Sequence, residues 1–363
     1  MPPTTIFLAG LVVFGVVLAY DYLFVDVYLV AEWDVTRSDW LFVLSTWLLA
    51  SFGVAPLVQN PSLANRYWER LRERPGTLLG LAVVTVFALV GTVGAALTTS
   101  PSVNFLYAYQ PPAFTSVEAD LVNQCVGPMT DGRCHGTLQY PLGTDGFGYG
   151  VLRSLVEGTH TSVYVAVIAG ALVVPLGTLV GAVAGYYGGT TDTLLMRYVD
   201  VQQTIPAVVV YIVLILVVGK SLFLLVLVFG LFSWGGVARI VRSEILQRRD
   251  AEYVVAARNV GGDDRYILRR HLVPNVSHAA VMTLSQQLPV LLVTEAAVAY
   301  LGLGDPDLVS WGTLIARGVN DASATVFEQW WVSLFGVAAL AGTVAAFKFV
   351  GDSLRDVLDP HED

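Results

Sequence analysis

Charge is what this chain has least of. Only 13% of its 363 residues are Asp, Glu, Lys or Arg, about half the share of roughly 25% usual in a soluble domain. Such scarcity argues against a large water-soluble fold. Lysine is nearly missing, with Lys220 and Lys348 the only two among 20 basic residues. No broad basic face exists to neutralise phosphates, so nucleic acid is not expected as a partner. No G-x-x-x-x-G-K-[ST] phosphate loop occurs, and the glycine pairs in "VGGDD" and "YYGGTTD" are explained by turn geometry. The five histidines (His135, His160, His271, His278 and His361) are scattered. A membrane-embedded enzyme would need converging nucleophiles or metal ligands, and none is visible. No cofactor and no metal are expected.

What is present is apolar. Hydrophobic residues make up 55% of the chain, mean hydropathy is +0.64, and apolar runs of roughly 20 residues recur. Together they indicate an all-α, polytopic membrane protein. The net charge of −9 identifies no partner.

Eight spans are expected, at 5–30, 40–58, 77–98, 162–185, 201–218, 222–239, 276–300 and 329–350. Asp21 and Asp26 interrupt the first, which has neither the basic start nor the cleavage site of a signal peptide. Arginines orient the set. Arg66, Arg70, Arg72 and Arg74 lie in the link 59–76, and eight more lie between Arg239 and Arg270. Both links then face the cytoplasm, as do both termini, while 99–161 and 301–328 face outward. The stretch "NPSLANRYWERLRERPG" reads either as an interfacial helix with Tyr67, Trp68 and Leu71 toward lipid or as a topology anchor. Cys125 and Cys134, nine positions apart on the oxidising side, suit a small disulfide loop. A reduced pair stays open; for a metal, only His135 adds an obvious ligand nearby.

One stretch breaks the apolar rule. "AARNVGGDDRYILRRHLVPN" (256–275) holds four arginines and two aspartates between greasy runs. Asp250 is expected to cap a helix that Gly261-Gly262 ends, and Asp263 to start a second one that Pro274 and Asn275 stop. Ala256 and Ala257 are small enough to admit another protein's surface. A topology anchor alone would need only a few arginines at span ends.

This stretch resembles the cytoplasmic signature of ABC-importer permeases, Glu-Ala-Ala, three residues, Gly, nine residues, Ile-x-Leu-Pro. Ala256, Ala257, Gly261 and Pro274 fall at the required spacing, while Val255 and His271 depart from it. Glu252, Tyr253, Val254, His271, Pro274 and Asn275 match the form common in the dipeptide/oligopeptide/nickel branch. "YPLGTDGFGYGVLRSLVEGT" (140–159), "AGYYGGTTDTLLMRYVDVQQTIP" (184–206), "EAAVAYLGLG" (295–304), "SWGTLIARG" (310–318) and "GDSLRDVLDP" (351–360) continue the likeness in collinear order. It is nearest to the C-type subunit. Gly148-Tyr149-Gly150 stands where that branch often has Gly-Arg-Asp, and Lys348 where a neutral polar residue is usual.

The resemblance implies a six-helix type I permease core plus an N-terminal hairpin. Its parts would be the hairpin in 1–60, an arginine-rich segment and first core helix in 61–98, an outer loop in 99–161, the core in 162–350 with a coupling loop at 240–275, and a tail in 351–363. It further implies a second homologous permease, two cytoplasmic ABC ATPase subunits and an extracytoplasmic solute-binding protein, with Glu252, Tyr253, Ala256, Ala257, Gly261, Gly262, His271, Pro274 and Asn275 serving ATPase coupling. The cargo would be a peptide or similar small solute such as nickel. A scaffold that merely recruits a cytoplasmic partner is the rival reading. Within the seventh span, Gln286, Gln287, Thr294 and Glu295 either line the pathway or bond neighbouring helices. Lys348 snorkels toward the cytoplasm, and Pro175, Pro206 and Pro289 can kink their helices.

Overall fold

The computed structural model describes residues 3–25, 35–72, 75–94, 103–321 and 324–358. Asp26, Arg74, residues 95–98 of the expected third span, His361 and both chain termini therefore lie outside the described residues, as do the side chains of Arg66, Tyr67 and Arg70. Seven described helices are long and apolar enough to cross a membrane, or eight if one bent pair counts as a span. They are α1 (Pro3–Phe24), α2 (Arg37–Gln59), α4 (Gly76–Gly94), α5 (Val151–Tyr187), α8 (Leu222–Arg248), α10 (Asp264–Tyr300) and α12 (Trp330–Leu354). Shorter helices are α3 (Pro61–Arg72), α6 (Gly189–Thr204), α7 (Ala207–Val218), α9 (Glu252–Asn259) and α11 (Trp311–Val319).

Prolines decide where the apolar runs stay straight. Proline lacks an N–H and its ring crowds the carbonyl four residues back. Before Pro56 and before Pro274, a π turn precedes the ring, at Ala50–Val54 and Leu268–Leu272. In each, the residue just before the proline donates to the carbonyl five back, Ala55 to Ala50 and Val273 to Leu268. The wider turn lets the helix run on. Pro274 and Asn275 therefore do not stop the second element, as expected from sequence, and α10 continues from Asp264 to Tyr300. Pro175 and Pro289 lie inside α5 and α10 without such a turn, whereas Pro206 ends its run. Ile205 is extended, as a residue preceding proline prefers to be, and α6 and α7 meet at a bend of 70°. The straight span expected at 201–218 is thus broken at Ile205–Pro206.

α5 is the central rod. It starts eleven residues before the apolar run expected at 162–185, because the polar stretch following Gly150 is helical too. Against α8 it presents Gly177, Gly181 and Gly185, one per turn. A Cβ on Gly177 would lie 2.6 Å from Val237 Cβ, and one on Gly185 2.8 Å from the Arg242 carbonyl. On Gly181 it would meet the Ala238 carbonyl. Small residues at this spacing let two helix backbones touch, the packing that replaces hydrophobic drive inside lipid. α4, α10 and α12 pack around this pair, and α11 wedges between α10 and α12.

The N-terminal hairpin is clipped to the rod. Thr36 and Asp39 form a reciprocal cap at the start of α2. The second Asp39 oxygen accepts a 2.5 Å bond from the buried Tyr164 hydroxyl of α5. Phe42 stacks on the same ring at 4.1 Å. In α3, Trp68 is exposed and Leu71 half-buried.

A small antiparallel sheet, absent from the sequence expectations, sits at the Val151 end of α5. Its order is β1 (Ser116–Glu118), β3 (Arg133–His135), β2 (Met129–Thr130). Cys125 and the fully buried Cys134 are joined in a disulfide with Cα atoms 5.7 Å apart. Among the described residues no group of three or more His, Cys, Asp or Glu could hold a metal ion.

Candidate functional site

Two structured regions mark opposite ends of α5. At the Tyr187 end stands α9, the short helix inside the signature stretch. Its N-cap is Ala251, which has no side-chain cap bond, so the capping role expected of Asp250 is not realised. Asp250 pairs instead with Arg249 at 3.4 Å. Asp263 does cap the next element, accepting from the Tyr266 amide at 2.9 Å.

The end of α9 explains both glycines. The Gly261 amide donates to the Arg258 carbonyl and the Gly262 amide to the Ala257 carbonyl, both at 3.0 Å. These are the paired bonds of a Schellman turn, which requires a left-handed residue at its first post-helical position. Gly261 supplies it with φ of 90°. Gly262 is needed for room, since a Cβ there would lie 2.8 Å from the Ala257 carbonyl.

Burial splits α9 into two faces. Val254 and Ala257 are buried against the chain's own core, beside Ile245, Ile267 and Leu272. Glu252, Tyr253, Val255 and Ala256 are exposed, as is Val260 beyond the helix. Of the two small alanines, only Ala256 is free to meet a partner; Ala257 seats the helix. His271 in the π turn of α10 packs between Tyr253 and Tyr266, with ring centroids 6.4 and 5.4 Å away. Asn275 donates back to the His271 carbonyl at 2.8 Å. The residues that resemble the peptide branch thus tie α9 to the start of α10.

Tyr186, which sequence reasoning did not single out, is the joint between this unit and the rod. Its hydroxyl donates to Asp264 Oδ1 at 2.6 Å and accepts from Arg258 Nη2 at 3.5 Å. The only hint lay in "AGYYGG" being part of the resemblance. The nearby arginines are also more than anchors. Arg242 grips Asp192 of α6 with two bonds, Arg239 pairs with Asp200 at 2.6 Å, and Arg249 donates to the Gly185 carbonyl.

The four pathway candidates do not share one face. Gln286 and Glu295, nine residues apart, sit about 180° apart round α10. Gln286 is exposed, in one stripe with Val290, Val293 and Ala297. Gln287 and Thr294 are half-buried and share a third direction; Gln287 donates to the Ser233 carbonyl at 3.2 Å and Thr294 to its own helix at Val290. Glu295 is 3% exposed and turned inward.

At the Val151 end a charged clasp holds the sheet region to α11. Asp145 is fully buried. Its Oδ1 accepts from the amides of Phe147 at 3.0 Å and Tyr149 at 2.9 Å, and its Oδ2 pairs with Arg317 at 3.1 Å. The Arg317 guanidinium lies over the Phe147 and Tyr149 rings, 5.5 and 5.1 Å from their centroids. Burial pushes the Asp145 carboxyl above its ordinary range, outweighing Arg317 and the two amides, which pull it down. Thr144 continues the clasp, its carbonyl accepting from Trp331 Nε1 at 3.0 Å. "PLGTDGFGYG" and "SWGTLIARG", far apart in sequence, are two halves of one joint.

Comparison with known proteins covers both ends. The family described as binding-protein-dependent transport system inner membrane component matches residues 177–362. The oligopeptide transport system permease protein OppC of Bacillus subtilis (strain 168) is 34% identical over 220 residues, 60% of this chain and 71% of that protein. The dipeptide transport system permease protein DppC of the same organism is 30% identical over 310 residues, 84% of this chain and 89% of that protein. The glutathione transport system permease protein GsiD of Pectobacterium atrosepticum is 31% identical over 316 residues, 86% and 96% of the two chains. The chain belongs to the family of binding-protein-dependent transport system inner-membrane components, the permease subunits of ABC importers.

Proposed function

We propose that this permease carries peptides across the plasma membrane and takes its driving force through α9. The cargo assignment rests on the names of the relatives, which are oligopeptide and dipeptide permeases over most of their length. Two cytoplasmic ABC ATPase subunits hydrolyse ATP, a second homologous permease completes the pathway, and a solute-binding protein delivers cargo. The arginine-rich α9 side lies in the cytoplasm with both termini, and the disulfide-bearing sheet lies outside.

One observation carries the coupling role: α9 is seated firmly from below and bare above. Val254 and Ala257 fix it to the core, while Tyr253, Val255, Ala256 and Val260 offer an apolar, small-residue surface. A push on that surface passes to α5 through Arg258 and Tyr186, and to α10 through the Tyr253–His271 contact. Both receivers cross the membrane, so a movement of the ATPases becomes a movement of the pathway walls. On α10 the exposed stripe with Gln286 faces the pathway or the second permease, and the inward Glu295 does not. Gly261→Val tests the reading. A β-branched residue at φ near 90° costs about 1–3 kcal/mol and undoes the Schellman turn. Membrane insertion should remain while ATP-dependent uptake in vesicles is lost; normal uptake would sink the coupling role.

A further inference from the structure

A second feature of Glu295 has no part in that scheme. Its Oε2 is buried and has no hydrogen-bond partner. An unpaired carboxylate in a span is costly and marks function by default. Glu295 lines a pocket where α5, α8, α10 and the α10–α11 link converge, together with Thr161, Asp305, Ser310, Thr313 and Leu222. The enclosed space is about 10 Å³, room for roughly one water-sized body and far below the roughly 300–1,000 Å³ of sites for organic ligands. The occupant is therefore small.

The walls specify its charge. The Thr161 hydroxyl donates to the Val309 carbonyl and the Thr313 hydroxyl to the Ser310 carbonyl, both at 2.8 Å. The Ser310 hydroxyl bonds to Glu295 itself. Ser310 Oγ also accepts from the Gly312 and Thr313 amides and Thr313 Oγ1 from the Ser310 amide, so the oxygen lone pairs left open are those of Thr161 and one of Thr313. No Lys, Arg or His is among the described residues lining the pocket. Lys220, in the α7–α8 link, is bound to the Gly302 carbonyl at 2.6 Å. An anion is repelled by two carboxylates, Glu295 and Asp305, and an apolar occupant, though it would suit Leu222, Leu225, Ala299 and Leu308, leaves Oε2 unpaired. A water in that space would donate to Oε2 but leave its charge unbalanced, whereas a small cation with oxygen affinity balances it.

We propose that this pocket binds one monovalent inorganic cation, Na⁺ or a hydrated proton, between Glu295 and the hydroxyl oxygens of Thr161 and Thr313. Loading it locks the α10–α11 link onto α5 and α8. The claim is independent of what cargo the permease moves, because its test reads binding and not uptake. The full-length chain in lipid nanodiscs is melted in sodium chloride and in N-methyl-D-glucamine chloride at equal ionic strength, and then at several pH values. Sodium is expected to raise the melting temperature by at least about 2 °C. Glu295→Gln should abolish the gain and the isosteric Thr161→Val should weaken it, with circular dichroism confirming that both variants fold. If a proton is the occupant, sodium has no effect and wild-type stability falls as pH rises, and the fall is shallower in Glu295→Gln, which keeps only the contribution of other groups such as Asp145. Asp305 and the Tyr211 phenol of α7 also stand within electrostatic reach, so Asp305→Asn must retain the response for Glu295 to be its source. Insensitivity of the wild type to both sodium and pH, or an undiminished response in Glu295→Gln, would overturn the site.

Discussion

Replacing Arg317 by Met removes the cation facing a carboxylate that has no access to water. In Arg317→Met the two amides still serve Asp145 Oδ1, but Oδ2 loses its guanidinium partner. Breaking a buried pair from one side costs about 3–5 kcal/mol, because the remaining charge is left desolvated. Arg317 is itself 24% exposed, which places the expected loss near the lower end, about 3 kcal/mol. Asp145→Asn should cost less, about 1 kcal/mol, since Asn keeps an acceptor for both amides and relieves the buried charge. At roughly 2–4 °C per kcal/mol, the first variant should melt about 6–12 °C below the wild type. The pH dependence has a definite sign. Burial already holds the Asp145 carboxyl above its ordinary range, and without Arg317 it rises further. A carboxyl that binds its proton more tightly when folded loses stability as pH rises. The Arg317→Met penalty should therefore shrink toward acid and grow toward neutral pH, and vanish in the double variant with Asp145→Asn. Melts of nanodisc samples at one scan rate would show it. An Arg317→Met protein that melts like the wild type, or is penalised equally across pH, refutes the clasp.

The remaining expectations are simpler. Cys125 and Cys134 should both resist alkylation until a reductant is added, and Cys125→Ala with Cys134→Ala should destabilise the sheet region by about 2–3 kcal/mol, the loop-closure value for ten residues, read by limited proteolysis. Gly181→Leu should separate α5 from α8, since its Cβ meets the Ala238 carbonyl and the Val241 side chain; a loss of several kcal/mol is expected, and wild-type melting would contradict the close seam.

Periodicity and charge made the membrane helices legible, because lipid imposes long apolar runs that few other structures need. Breaks in those runs were harder. Pro206 breaks its run, while helices continue through Pro175, Pro274 and Pro289, Pro274 with a π turn before it and the other two without. The signature stretch was readable as a docking element, yet Ala256 and Ala257 divide between partner and core by one helical step. Spacing also placed Gln286 and Glu295 in one helix without showing that they point oppositely. Tyr186, Asp145 and Arg317 were invisible singly, since each acts through a partner 78 or 172 positions away.

α5 runs the distance between the two structured ends described above. At 37 residues and 1.5 Å per residue it is about 55 Å long, and the glycine seam binds α8 to it as a second plank. The Tyr186 joint sits at one tip, the sheet region beyond the other, and the hairpin clip at Tyr164 between them. Geometry sets what a rod of that length transmits: a tilt of about 5° about its midpoint would displace each tip by about 2 Å, in opposite directions. The hairpin, bolted about one-third of the way along at Tyr164, would share any such tilt, because the Asp39 and Phe42 contacts hold it to the rod.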